Sequence, residues 1–271
     1  MAHKLQAPIP SKGKLLKWTL ESLRKLNLKP RDKLGQHFLV DPYGVSLFLN
    51  ALARWEHRDM VEIGPGLGVL TRYASLIASR VVAVELDPLL ASHLASMALD
   101  NVLVVRGDGL KHVTSLGVSI VYSNTPYSIS SKLIALIARN NRVTYSLLGV
   151  QLELAKRMIA KPGEDDYGRL TLLANRYFHV KLLGVIPRSS YYPEPEVSGA
   201  VIELWRKRSW VEGDELFESL TRCLFSGRNR MAYKMAYKCL NVEAEKLSWL
   251  RGRRVRDLGL EDVEKLVSMM K

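Results

Sequence analysis

Between residues 59 and 151 the chain alternates short apolar runs with amphipathic stretches. "DMVEI" leads into "GVLTRYASLIA", "RVVAVEL" into "PLLASHLASMAL", and "VSIVYS" into "SSKLIALIARN", with "NVLVVRG" between the last two pairs. The runs read as strands and the longer stretches as helices, one of them opening with proline at its first turn. Repeated strand–helix alternation predicts an α/β chain: an open, mostly parallel, doubly wound sheet with helices on both faces. "TYSLLGVQLEL" and apolar stretches near 180–187 and 197–204 supply further strands. Upstream, Leu15, Leu16, Leu20, Leu23 and Leu26 recur at helical spacing before Pro30, and "GVSLFLNALAR" reads as a second helix. Beyond about 206 the pattern turns helical ("ELFESLTRCLF", "RMAYKMAYKCL", "EDVEKLVSMM"), which predicts a small C-terminal helical domain.

Charge divides the chain differently. Lys and Arg exceed Asp and Glu by 40 to 27 over 271 residues. Residues 1–36 hold nine basic and two acidic residues and 205–258 hold thirteen and seven, whereas 37–204 hold sixteen and fifteen. The excess lies in two flanks around a neutral middle. Basic ends can simply aid solubility; the alternative is a polyanion footprint, because Lys and Arg gain affinity by releasing the counterions condensed on nucleic-acid phosphates. Cys223 and Cys239 are too few for a disulfide framework and too isolated for a zinc site, so both are expected to be packing residues, and no metal is expected. No apolar signal core opens the chain and no run reaches membrane-spanning length, so a soluble, cytoplasmic protein is expected.

The ends of the predicted strands carry the chemistry. In "VEIGPGLGVLT", Gly64, Gly66 and Gly68 occupy a strand-to-helix turn, where glycine permits positive φ and close approach of a ligand to the backbone. A dinucleotide fingerprint would need its third glycine at position 69, which is Val69, so the spacing favours a cofactor with an adenosine but no pyrophosphate and disfavours a dehydrogenase. Glu85 ends the next strand, placed to accept hydrogen bonds from ribose hydroxyls; the alternative is a solvated strand end. Asp108 follows the third strand and can accept from an adenine amine or merely cap the next helix. Asn124 ends the fourth. Four such residues at roughly twenty-residue intervals fit ligand binding beyond the carboxyl ends of the strands.

Asn124, Thr125, Pro126 and Tyr127 ("NTPY") suit methyl transfer to an adenine N6. That nitrogen is a poor nucleophile because its lone pair is delocalised into the ring. The Asn124 side-chain oxygen and the Thr125 backbone carbonyl can each accept an N6–H, Pro126 can fix the turn, and Tyr127 can stack on the base. Stacking on an aromatic ring contributes about 1–3 kcal/mol. Positioning and electrostatics then supply the catalysis.

"LGQHFLVDP", "VEIGPGLGVLT", "VELDP", "GDGL" and "NTPY" together resemble the ribosomal RNA adenine N6,N6-dimethyltransferase family, of the small-subunit methyltransferase A type. "QLELAKRMIAKPGEDDYGRLTLLA", "YYPEPEVSGAVIEL" and "LFSGRNRMAYK" are similar to that family's later segments, so the resemblance spans about residues 30–240. It implies a Rossmann-like class I methyltransferase fold, S-adenosyl-L-methionine as cofactor, and formation of N6,N6-dimethyladenine on two adjacent adenines near the 3′ end of small-subunit RNA. It places cofactor contacts on His37, Leu39, Gly64, Gly66, Glu85, Asp108 and Asn124, and catalytic roles on Asn124, Thr125, Pro126, Tyr127 and Tyr191. The domain layout it implies is a basic arm over 1–29, a methyltransferase domain over 30–206 and a helical RNA-binding domain over 207–271. A monomer acting on the small ribosomal subunit, away from membranes, is expected. The chain departs from the family pattern at Thr125 (usually Leu or Ile), His37 (often Asn), Tyr191 (a Phe set against the target base), Gly199 (usually Ser) and Arg228–Asn229–Arg230 (normally ending in Lys).

Two other functions keep part of this pattern. One is methylation of large-subunit RNA or of DNA adenine; the basic helical tail and "YGRL" favour the small subunit. The other is a non-catalytic RNA-binding assembly factor on the same fold, against which the intact Asn124, Pro126 and Tyr127 argue as a sole role.

Overall fold

The computed structural model describes residues 8–31, 35–115 and 117–270. Residues 1–7 of the basic arm and Leu34, which opens "LGQHFLVDP", lie outside the described residues.

The expected alternation forms a seven-stranded sheet. Its strands are β2 (Asp59–Ile63), β3 (Arg80–Glu85), β4 (Val102–Arg106), β5 (Ile120–Asn124), β6 (Tyr145–Gln151), β7 (Phe178–Ile186) and β9 (Gly199–Arg206), in the order β4-β3-β2-β5-β6-β9-β7. β4, β3, β2, β5 and β6 run parallel and β9 pairs antiparallel with β6. Strand order reverses between β2 and β5: the chain steps outward from β2 to β4, then returns to place β5 on the other side of β2. The crevice beyond the carboxyl ends of that pair is the ligand site of a doubly wound sheet.

The helices are α1 (Lys12–Lys25), α2 (Pro42–Leu52), α3 (Val69–Ala74), α4 (Pro88–Ser96), α5 (Gly109–His112), α6 (Ser130–Arg139), α7 (Leu152–Ile159), α8 (Arg169–Tyr177), α9 (Asp214–Phe225), α10 (Ala232–Leu240) and α11 (Leu260–Ser268). α2 and α4 start where their sequence chemistry requires. Asp41 accepts from the Tyr43 N–H and Asp87 from the Leu89 N–H, each followed by proline at the first helical position. α3 is shorter than "GVLTRYASLIA" suggests and breaks into turns after Ala74, while β6 hands over to α7 at Leu152, so "LEL" is helical rather than strand.

A two-stranded antiparallel ribbon is not evident in the sequence. β1 (Phe38–Leu39) pairs with β8 (Tyr191–Tyr192), setting Leu39 opposite Tyr191, and the Val40 N–H donates to the Ser190 carbonyl at 2.8 Å. This ribbon ties "QHFLV" to the proline-rich segment more than 150 residues later.

The chain divides into two compact units. One comprises Met1–Ala155 with Lys181–Arg206, the other Lys156–Val180 with Lys207–Lys271. The second unit thus takes in residues 156–180, which the sequence groups with the catalytic domain. The reason is packing: Ala160, Tyr167 and Leu172 bury into one cluster with Phe217, Leu220, Leu224 and Val263 from α9 and α11, and the Tyr167 hydroxyl donates to the Leu258 carbonyl at 2.6 Å. The expectation that Cys223 and Cys239 are separate packing residues is corrected. They form a disulfide between α9 and α10, with Cα atoms 5.9 Å apart. A sixteen-residue separation across a turn carries no signal of that proximity. No described helix is long and apolar enough to cross a membrane.

Candidate active site

Positive φ at Gly64 (+66°), Gly66 (+59°) and Gly68 (+85°) turns the chain sharply out of β2. The turn is held from the neighbouring strand. Glu85 Oε2 accepts the Gly66 N–H at 3.0 Å, and its Oε1 accepts the Asp87 N–H at 2.9 Å. Only 6% of Glu85 is exposed, and burial pushes its carboxyl above the usual range while backbone N–H groups, those of Asp87 and Gly66 foremost, pull it back. Each oxygen keeps a lone-pair direction for a further donor.

Glu85 lines a cleft at the carboxyl ends of β2, β3, β4 and β5. His37, Leu39, Gly64, Gly66, Asp108, Asn124 and Pro126 line it too, so eight of the sequence-derived residues share one cavity. Asp108 caps the next helix, its Oδ1 accepting the Leu110 N–H at 2.9 Å, and the residue also borders the cleft. His37 Nδ1 lies 2.9 Å from the Pro193 carbonyl, and its ring is 6.2 Å from that of Tyr127.

Thr125, Tyr127 and Tyr191 do not line this cavity. Thr125 is buried, and its N–H donates to the Gly149 carbonyl at 3.0 Å, extending the β5–β6 pairing one residue past Asn124. Gly149 makes room for Asn124: a Cβ there would sit 2.8 Å from Asn124 Oδ1 and 3.0 Å from Phe48. Pro126 is gripped from two sides, because a Cβ on Gly35 would stand 3.0 Å from its ring and one on Gly64 3.5 Å from it. The "NTPY" loop is therefore held against the neighbouring strand β6 and packs beside Gly35 and the glycine turn of β2.

Sequence reasoning missed several lining residues. Glu62 is one: an acid within the apolar strand "DMVEI", only 1% exposed, with Oε2 accepting from Thr71 Oγ1 at 2.7 Å and Tyr122 Oη at 2.9 Å. Burial pushes its carboxyl up to about 7, against the pull of those two hydrogen bonds. Trp18 and Thr19 of α1 also border the cleft, as do Phe38 and Asp87. An acid inside a strand signalled Glu62, and the stripe Leu15–Trp18–Thr19–Ser22 at helical spacing signalled α1.

The electrostatics restrict the ligand. Glu62, Glu85, Asp87 and Asp108 line the cleft and, among the described residues, no Lys or Arg does. Asp87 Oδ2 is buried without a hydrogen bond and lies 3.7 Å from the exposed Arg31 guanidinium. A pyrophosphate would meet carboxylates and no lining Lys or Arg, whereas a positively charged adenosine derivative meets a matching field.

Comparison with known proteins agrees with this geometry. Residues 27–269 match the family model for ribosomal RNA adenine dimethylase. A probable ribosomal RNA small subunit methyltransferase A from Aeropyrum pernix is 45% identical over 193 residues, covering 70% of this chain and 70% of that protein. A protein of the same description from Pyrococcus furiosus is 32% identical over 265 residues, covering 92% and 95%. Among solved structures, a dimethyladenosine transferase from Plasmodium falciparum superposes with a TM-score of 0.75 at 24% identity, over 85% of this chain and 96% of that one. The 23S rRNA methyltransferase ErmE superposes with a TM-score of 0.63 at 23% identity, over 86% and 99%. At these identities the superpositions establish the class I methyltransferase fold.

Proposed function

The chain belongs to the ribosomal RNA adenine dimethylase family, and from that premise we propose that it dimethylates N6 of two adjacent adenines near the 3′ end of small-subunit ribosomal RNA, with S-adenosylmethionine as donor. The observation that carries the reading is the convergence of the glycine turn, Glu85, Asp108, Asn124 and Pro126 on one acid-lined cleft at the reversal of strand order. Relatives described as small-subunit methyltransferases, 32–45% identical, favour the small subunit over the large.

The residues present fit the donor. The Gly64–Gly66 turn admits close backbone approach, the Glu85 carboxylate offers two free lone-pair directions to ribose hydroxyls, and Asp108 offers an oxygen to an adenine amine. Asp108 and Asp87, the latter 3.7 Å from the Arg31 guanidinium, supply negative charge around a cation. When bound, S-adenosylmethionine supplies an electrophilic methyl group on a positively charged sulfur.

The chain's own task is to make the target amine nucleophilic and hold it in line. Asn124 Oδ1 and the Thr125 carbonyl accept the two N6–H bonds, drawing the nitrogen lone pair out of conjugation. No donor among the described residues occupies that Thr125 carbonyl. Only the backbone of residue 125 has a role, so threonine serves as well as leucine. Pro126, wedged between Gly35 and Gly64, fixes the height of the loop above the cleft. Tyr127 presents its ring to the base. The proton leaves from an alkylated, acidic nitrogen, so no strong base is required. The basic segments 1–36 and 205–258 flank the neutral core as phosphate-holding regions. Incubating the protein with labelled donor and either small or large subunits lacking these methyl groups tests the reading: label should enter the small-subunit RNA alone.

A further inference from the structure

Tyr127, Tyr191 and Gly199 come from three separate segments, the loop after β5, the strand β8 and the first residue of β9. They meet at one point. A Cβ on Gly199 would stand 2.5 Å from Tyr191 Oη, 3.3 Å from its Cζ and 3.2 Å from Tyr127 Oη. Gly199 does not have positive φ, so backbone conformation does not demand glycine there; space does. The Tyr127 hydroxyl is buried, and its interaction with the Tyr191 hydroxyl partly offsets the effect of that burial on its ionisation. Its neighbour is the Tyr191 hydroxyl, whose ionisation is pushed well up by burial and by the Tyr127 hydroxyl beside it.

Tyr191 has little freedom to withdraw. It is only 5% exposed. Its backbone is pinned by pairing with Leu39 and by the Val40–Ser190 hydrogen bond on the residue before it. A tyrosine ring has only two torsions, and a buried one transmits displacement to whatever its hydroxyl touches.

We propose that Tyr191 is a positioning residue that backs the Tyr127 ring through its hydroxyl end, and that residue 199 is glycine to admit that hydroxyl. The proposal rests on the reading of Tyr127 as the ring that receives the target adenine. The column runs from the β1–β8 ribbon through Tyr191 to Tyr127, so the ribbon that also carries Leu39 beside the donor cleft sets the height of the base platform. Donor site and base platform are thereby referenced to one element.

Single-turnover methyl transfer to small subunits, with donor titration of the same proteins, tests this. Gly199→Ala should slow transfer at least tenfold while donor affinity stays within about twofold, since misplacing reacting groups by about 1 Å can cost 100-fold. Tyr191→Phe removes the atom that the new Cβ would strike. Adding it to Gly199→Ala should bring the rate back to within about threefold of Tyr191→Phe alone, a rescue that loss of packing could not produce. Tyr191→Leu, which deletes the column without crowding anything, should slow transfer with donor binding kept, and it carries the test if Gly199→Ala does not fold. A Gly199→Ala rate equal to the parent, a double variant as slow as Gly199→Ala, or a Tyr191→Leu rate equal to the parent overturns the proposal. Tyr127→Ala at the parental rate would instead remove the base-platform reading itself, so the two failures are distinguishable.

Discussion

Replacing Glu85 by alanine should weaken donor binding by about two to four orders of magnitude. The carboxylate already holds Gly66 and Asp87 N–H groups, one on each oxygen, which leaves one lone-pair direction per oxygen for the ribose. Two hydrogen bonds to a charged group at about 1.5–3 kcal/mol each amount to roughly 3–6 kcal/mol, and each 1.4 kcal/mol is tenfold in affinity. Fold stability should suffer less than the lost hydrogen bonds suggest, because burial already penalises the ionised carboxylate. Calorimetric titration with S-adenosylhomocysteine and with its 2′-deoxyribose analogue separates ribose recognition from general damage. The parent should lose about ten- to 150-fold against the deoxy analogue, one hydrogen bond's worth, and Glu85→Ala should no longer discriminate. A variant that binds as the parent does, or discriminates to the same extent, would refute the ribose assignment.

Three further outcomes follow from the same structure. Asn124→Ala should nearly abolish single-turnover transfer, whereas Tyr127→Phe should keep substantial activity, because the ring remains and only its hydroxyl contact with Tyr191 is lost; equal rates in Asn124→Ala and the parent would end the N6-acceptor assignment. Reversing Arg230, Lys234 and Lys238, all exposed, should weaken small-subunit binding and lower the log–log salt slope by about 0.7–0.9 per lost phosphate contact; Arg228 is left intact because it is partly buried and donates to the Glu164 carbonyl, and an unchanged slope in filter binding would make this surface merely solvated. Glu62, with a carboxyl pushed up to about 7 from 4.5, stays protonated in the fold at pH values where the unfolded chain has released its proton, so stability should fall as pH rises from 4.5 to 7 by about 3 kcal/mol and level off above; Glu62→Gln should flatten that limb of a urea-midpoint profile, and an unchanged limb would assign it elsewhere.

The parallel core of the fold was legible because its strands announce themselves: "RVVAVEL" and "VSIVYS" are apolar, β-rich and separated by helical stretches. Gly64, Glu85, Asp108 and Asn124 were legible for a related reason, since strand ends in such a sheet map onto one crevice. What stayed hidden depends on long-range pairing or on space. The β1–β8 ribbon is two residues per strand, too short for any periodicity. The Cys223–Cys239 bond depends on how α9 and α10 pack, and spacing alone does not report it. Residues 156–180 read as part of the catalytic domain because they precede β7 and β9 in the chain, yet their apolar faces find partners on α9 and α11. Tyr191 and Gly199 stood out in the sequence as two unrelated departures; only the 2.5 Å separation between a hydroxyl and an absent Cβ relates them.

The central claim is that the "NTPY" loop makes an adenine N6 on small-subunit RNA the methyl acceptor. Nucleoside mass spectrometry on small subunits lacking the modification, after reaction with donor and either the parent protein or Asn124→Ala, tests it most directly. The account predicts two adjacent N6,N6-dimethyladenosines near the 3′ end with the parent and almost none with the variant. Methyl groups on another atom or another base, or full dimethylation by Asn124→Ala, would contradict it.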